Sequence, residues 1–172
     1  MLKAIISDLF EVISEDTSLT EEYFYEHPGD FPVFSGQTQD FGIVARIDTF
    51  KQDGPCVTLT TYGSAGTLAY REGRFTVGRN CMGLKLKKEY ESQVNLRWFA
   101  YALQGLFKRL TIGESGGQTS LNKTIVERVQ IELPSIEVQE RQLEKYIRAQ
   151  SLLDTIVTLK AELESLIESE MV

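Results

Sequence analysis

Histidine and cysteine are scarce in this chain of 172 residues, and their scarcity closes off chemistry. The one histidine is His27, and the two cysteines are Cys56 and Cys81. Such a set cannot assemble a recognisable zinc site or a disulfide framework, so no metal is expected and a reducing cytoplasm is the expected compartment. No apolar run approaches the roughly 18–20 residues of a membrane span, and no charged start with an apolar stretch marks a secretory signal. No membrane partner is therefore expected. Neither Gly-x-x-x-x-Gly-Lys-Ser/Thr nor Gly-x-Gly-x-x-Gly occurs, which leaves nucleotide binding without support.

Gly113-Glu114-Ser115-Gly116-Gly117 formally matches the Gly-x-Ser-x-Gly turn of hydrolases. A serine nucleophile needs a base, and His27 precedes it where an α/β-hydrolase requires the histidine afterwards. A trypsin-like enzyme tolerates that order but needs two β-barrels and more chain than remains here. Carboxylates are plentiful, yet none is paired by spacing for acid–base work. The expectation is a protein with no catalytic apparatus.

What the chain does have is unevenly placed charge. The net charge is −7, which argues against nucleic acid only if it is spread evenly. Residues 1–40 hold 1 basic and 9 acidic side chains, residues 41–130 hold 13 and 7, and residues 131–172 hold 4 and 9. A basic middle thus lies between two acidic ends. Salt screens charge beyond roughly 8–10 Å, so a polyanion meets the local potential rather than the total.

The first 30 residues open on an apolar run from Ala4 to Ile13, and a short acidic helix is expected after Ser18, ending at His27-Pro28-Gly29. From Phe31 to Leu86 short β-like pieces alternate with Gly-rich turns. Residues 94–110 switch to helical spacing, with Leu96, Phe99, Leu103, Leu106 and Leu110 on one face. Leu121 to Val126 reads as a short helix and Val129 to Leu133 as a strand. Behind Pro134, a pattern uninterrupted by Gly or Pro runs to about Ser169, with Ser135 suited to the N-cap and Glu137 to the first turn. At 1.5 Å per residue this is a rod of roughly 52 Å. Ile136, Leu143, Tyr146 and Ile147 form a cluster expected to lie on the globular part. Leu152, Ile156, Leu159, Leu163 and Leu166 repeat at four, three, four, three, a coiled-coil seam widened by Leu153, Val157 and Ile167. The fold class is therefore α+β: a small mixed β-sheet domain with short helices over residues 1–133, then a long C-terminal coiled-coil helix over 134–172.

Four polar loops stand on the basic body: Ser35 to Gln39, Thr60 to Gly66, Arg79-Asn80, and Ser115 to Lys123. Glycines let backbone amides approach phosphate closely. Gln and Asn pair bidentately with adenine, Arg with guanine, and Ser, Thr and Lys suit phosphate oxygens.

The order of these pieces resembles one half of a type I restriction–modification specificity subunit. Phe31-Pro32-Val33-Phe34-Ser35-Gly36, Tyr62-Gly63-Ser64-Ala65-Gly66 and Gly116-Gly117-Gln118-Thr119-Ser120-Leu121 come first. Val129 to Pro134 then leads into Ser135-Ile136-Glu137-Val138-Gln139 and the long helix. The resemblance covers residues 5–172: one target-recognition domain and one conserved-region helix. Two departures stand out. That family usually carries two such units in tandem, and it often has Pro-Pro and Glu-Gln where Pro134-Ser135 and Val138-Gln139 stand here.

The resemblance implies a subunit that reads double-stranded DNA and docks onto a modification methyltransferase subunit, which would hold S-adenosylmethionine while this chain binds no cofactor. It also implies a homodimer, with helices antiparallel through Leu152, Leu153, Ile156, Val157, Leu159, Leu163, Leu166 and Ile167, and hence a split, palindromic target. Matched to the family's loops, the DNA contacts fall on Gln37, Thr38, Gln39, Thr61, Tyr62, Ser64, Arg79, Asn80, Gln118, Ser120 and Lys123. Gln37, Gln39, Arg79 and Asn80 are assigned to bases, and Ser64, Ser120 and Lys123 to phosphate. Ser35 and Gly36 are expected to shape the first loop. The rivals are a specificity module for a type IIG/IIB-like or phage-defence methyltransferase, an adaptor acting through its acidic rod, and a DNA mimic. The net positive charge of residues 41–130 opposes the mimic.

Overall fold

A computed structural model describes residues 1–37, 39–111 and 120–170, with only the backbone described for 168–170. Strand β1 (Leu2–Ile5) leads through the single turn α1 (Ile6–Leu9) to β2 (Phe10–Ile13). Helix α2 (Glu21–Glu26) precedes β3 (Pro28–Phe34), β4 (Ile43–Ile47), β5 (Gln52–Asp53) and β6 (Cys56–Thr60). Then come β7 (Leu68–Arg71), β8 (Arg74–Val77) and β9 (Cys81–Leu86). Helices α3 (Leu96–Ala102), α4 (Gln104–Arg109) and α5 (Lys123–Glu127) are followed by β10 (Gln130–Leu133) and α6 (Ile136–Glu170). This is the expected α+β class, with mixed sheets, short helices and one long terminal helix.

Two four-stranded sheets, in the orders β2-β9-β6-β7 and β4-β3-β8-β5, share the middle of the chain. Strand β6 is buried from end to end, because both its faces are covered. Side chains alternate across a strand, so Val57 and Leu59 join Val12, Leu84, Trp98, Phe99 and Phe107 in the larger core under the helices. Cys56 turns the other way and packs with Phe34, Phe75, Val77 and Cys81 in a second core. Burial pushes both thiols up to about 12, so neither is a ready nucleophile or metal ligand at neutral pH. A two-stranded pair, β1 with β10, ties the start of the chain to the segment ahead of α6.

The helix expected over 94–110 is broken in two. Leu103 leaves helical geometry at φ −95°, ψ 0°. Next to it, Gln104 donates from Nε2 to the Gly66 carbonyl at 2.8 Å and accepts from the Leu68 amide at 2.9 Å. Apolar spacing carries no sign of this, since both pieces keep their ring on one core: Phe99 and Phe107 lie 6.3 Å apart.

The start of α6 is anchored by polar side chains more than by the expected apolar cluster. Gln139 is fully buried. Its Oε1 accepts from the Asn95 amide at 2.9 Å, and its Nε2 donates to the carbonyls of Gln93 and Pro134 at 2.8 and 2.9 Å. One turn on, Gln142 accepts from the Trp98 indole at 2.7 Å. Of the four expected residues only Leu143 is buried; Tyr146 and Ile147 are exposed, although Tyr146 stacks on Tyr101 at 6.3 Å. Ser135 opens the helix as expected, and its hydrogen bond to Glu137 holds that carboxyl below its usual range. No helix among the described residues is long and apolar enough to cross a membrane.

Candidate nucleic-acid interface

The polar loops leave the ends of β3, β6 and β8 and precede α5, and main-chain hydrogen bonds join them in series. Gly36 N donates to Arg79 O at 3.0 Å, Thr61 N to Asn80 O at 2.9 Å, and Leu121 N to Thr61 O at 3.0 Å. Residues from all four loops named by the sequence therefore lie along one edge. Below them, Gly78 N donates to Phe34 O at 2.7 Å, and the Glu15 carboxylate accepts the Asn80 amide.

Two glycines permit the close approach. A Cβ on Gly36 would stand 2.8 Å from both the Asn80 carbonyl oxygen and its Cβ. Gly66, at φ +80°, sits so close to α4 that a Cβ would meet the Phe107 carbonyl oxygen at 2.6 Å. The second contact seats the loop after β6 against the last turn of α4, where Lys108 and Arg109 are exposed. These two cations join the edge through packing, which no sequence motif announced.

The candidate residues differ in what they present. Gln39, Tyr62, Arg79, Asn80, Ser120 and Lys123 are exposed, and Ser64 is half-buried. Arg79 has no side-chain partner among the described residues. Lys123 faces Glu127 at 3.7 Å across one helical turn, an exposed pair that leaves its ammonium exchangeable. Two expectations change. Thr61 is buried, and both its amide and its carbonyl bond to neighbouring loops, so it joins loops instead of offering a side chain. Gln37 is exposed but turns its Nε2 onto the carbonyls of Ile43 and Gln39, closing the neck of its own loop and leaving only its amide oxygen outward. Thr38, Gln118 and the Ser115 stretch lie outside the described residues.

Arg71 supports the first loop from beneath. Its guanidinium stacks on the Phe34 ring at 3.8 Å, and its Nε donates to Thr58 Oγ1 at 3.1 Å. Burial lowers its pKa, and no carboxylate among the described residues pairs with it. Among the described residues, no group of three or more His, Cys, Asp or Glu side chains is placed to hold a metal ion.

Along α6 the eight seam and flanking residues are 51–67% exposed: Leu152, Leu153, Ile156, Val157, Leu159, Leu163, Leu166 and Ile167. A contiguous apolar stripe of this kind marks an interaction surface.

A putative type I specificity subunit of Mycoplasma pneumoniae, S.MpnORF507P, is 31% identical over 151 residues, which are 88% of this chain and 40% of that protein. The crystal structure of a type I restriction–modification S subunit from M. genitalium superposes with a TM-score of 0.66 at 18% identity, covering 92% of this chain and 41% of that one. A structure described as showing complex assembly and conformational transition of the type I R-M system gives 0.73 at 18% identity, over 95% and 42%. The chain thus spans about two-fifths of the length of each. The sequence profile of the type I restriction modification DNA specificity domain matches residues 4–167, and the chain belongs to that family.

Proposed function

We propose that residues 1–133 read the sequence of double-stranded DNA and that residues 134–172 dock the reader onto a modification methyltransferase subunit and onto a second copy of itself. The observation that carries this reading is the serial main-chain stitching of four polar loops along one edge of a basic body. Backbone bonds set the edge's shape, which frees Gln39, Arg79 and Asn80 for base edges and Ser64, Ser120 and Lys123 for phosphate. Family membership makes the chain a non-catalytic specificity component. S-adenosylmethionine belongs to the partner, and this chain holds no cofactor.

The stripe on α6 supports pairing. Covering each half-exposed Leu, Ile or Val adds about 1–2 kcal/mol, enough over eight residues to hold two helices. Two copies related by a two-fold axis present identical edges, so the target is split and palindromic, with a spacer set by the rods.

The test is DNA binding by the chain co-purified with its methyltransferase subunit. Affinity is expected to fall steeply with salt, and exchanging Arg79 and Asn80 is expected to change which sites are methylated. Uniform loss of methylation at all sites would contradict base reading by these two residues.

A further inference from the structure

Phe41 stands on the loop between β3 and β4, 84% exposed and, among the described residues, in none of the ring pairs formed by the other aromatics. It adopts φ 52°, directly after Asp40 at φ 46°. Left-handed geometry is unfavourable for a bulky side chain, and two such residues in succession are rarer still. The fold holds this loop from several sides. Ser35 N donates to Gly42 O at 2.8 Å, the Gln37 amide closes the neck, and Gly36 bonds to Arg79. Beneath them, a Cβ on Gly42 would lie 3.1 Å from the Arg71 guanidinium. A well-braced loop therefore lifts one apolar ring away from the protein.

Its surroundings separate it from the other exposed apolar residues. Those on α6 form a stripe suited to another helix, whereas Phe41 stands beside Gln39 and Asp40 on a loop bonded to Arg79. An exposed ring beside Gln39 and Asp40, on a loop whose Gly36 amide bonds the Arg79 carbonyl, fits a base, whose methyl group or stacked face is the apolar part of DNA. We propose that Phe41 is a specificity-determining residue that touches a base when the loop edge is laid on DNA. This rests on the DNA-reading function proposed above.

The experiment uses the full chain co-purified with its methyltransferase subunit. Its motif is first mapped by sequencing methylated DNA, and a duplex carrying that motif is compared with an unrelated duplex. Phe41→Ala and Phe41→Gly are expected to weaken binding to the motif duplex by about tenfold or more. Binding to the unrelated duplex and the salt slope should stay unchanged. Phe41→Gly should melt at the same or a higher temperature than wild type, since glycine relieves the left-handed position. Wild-type affinity of Phe41→Ala for the motif duplex would overturn the assignment, as would equal losses on both duplexes. A wild-type complex with no preference between the duplexes would overturn the DNA-reading function itself, and this assignment with it.

Discussion

The loop edge and the C-terminal helix face solvent in opposite ways. The edge is polar, and its backbone groups are answered by neighbouring loops, so its shape is set within one chain. The helix satisfies its backbone by itself but leaves eight large apolar side chains more than half exposed. A surface complete in shape and rich in donors suits a charged, hydrogen-bonding ligand. A surface complete in backbone and rich in hydrocarbon suits another helix. One chain thus carries two unlike surfaces, which accords with the two classes of partner proposed for it.

The largest expected effect breaks the second surface alone. Ile156→Glu with Leu163→Glu should abolish self-association in sedimentation or light scattering and leave the thermal midpoint of the body unchanged. A wild-type chain that is monomeric at high concentration would remove the pairing. Next, Gly36→Ala should cost about 2 kcal/mol in chemical denaturation, through forced contact with the Asn80 backbone, and should weaken DNA binding while leaving self-association intact.

A smaller effect concerns the segment that braces the edge. Asp16 pairs with Lys51 at 2.6 Å, and its amide donates to Val77 O at 2.9 Å. Burial acts to raise its pKa, but the Lys51 ammonium and the hydrogen bonds from Ser18 outweigh this and hold it below the usual carboxylate range. A depressed carboxylate stabilises the fold fully above its ordinary value and stops doing so as pH falls through the lowered one. Acid unfolding of Asp16→Asn should therefore lose the part of its pH dependence that lies below about pH 4. The smallest effect is at Lys123: Lys123→Ala should reduce the log–log salt slope of DNA binding by about 1 and leave sequence preference unchanged.

The helix stripe was legible in the sequence because a four-three apolar repeat is periodic and local. The four loops were legible one at a time, by composition. Their union came only from the resemblance, because the atoms that join Gly36 to Arg79 and Leu121 to Thr61 are backbone atoms that carry no residue signature. Gln139 was named at the helix start, but its anchoring role was not legible, for a related reason. A glutamine suggests a solvated helix face until its three partners, all main-chain groups of Asn95, Gln93 and Pro134, surround it. Thr61 was placed among the readers by match to the family's loops, and only packing shows it buried. Phe41 was passed over because an isolated aromatic in a polar loop has no period to reveal it.

The measurement that bears most directly on the two-surface account is a genome-wide map of methylation by this chain co-expressed with its methyltransferase subunit. Identical edges carried by two antiparallel rods predict a split motif with two-fold symmetry and a spacer of fixed length. A contiguous or asymmetric motif written by this chain and the methyltransferase alone would contradict it.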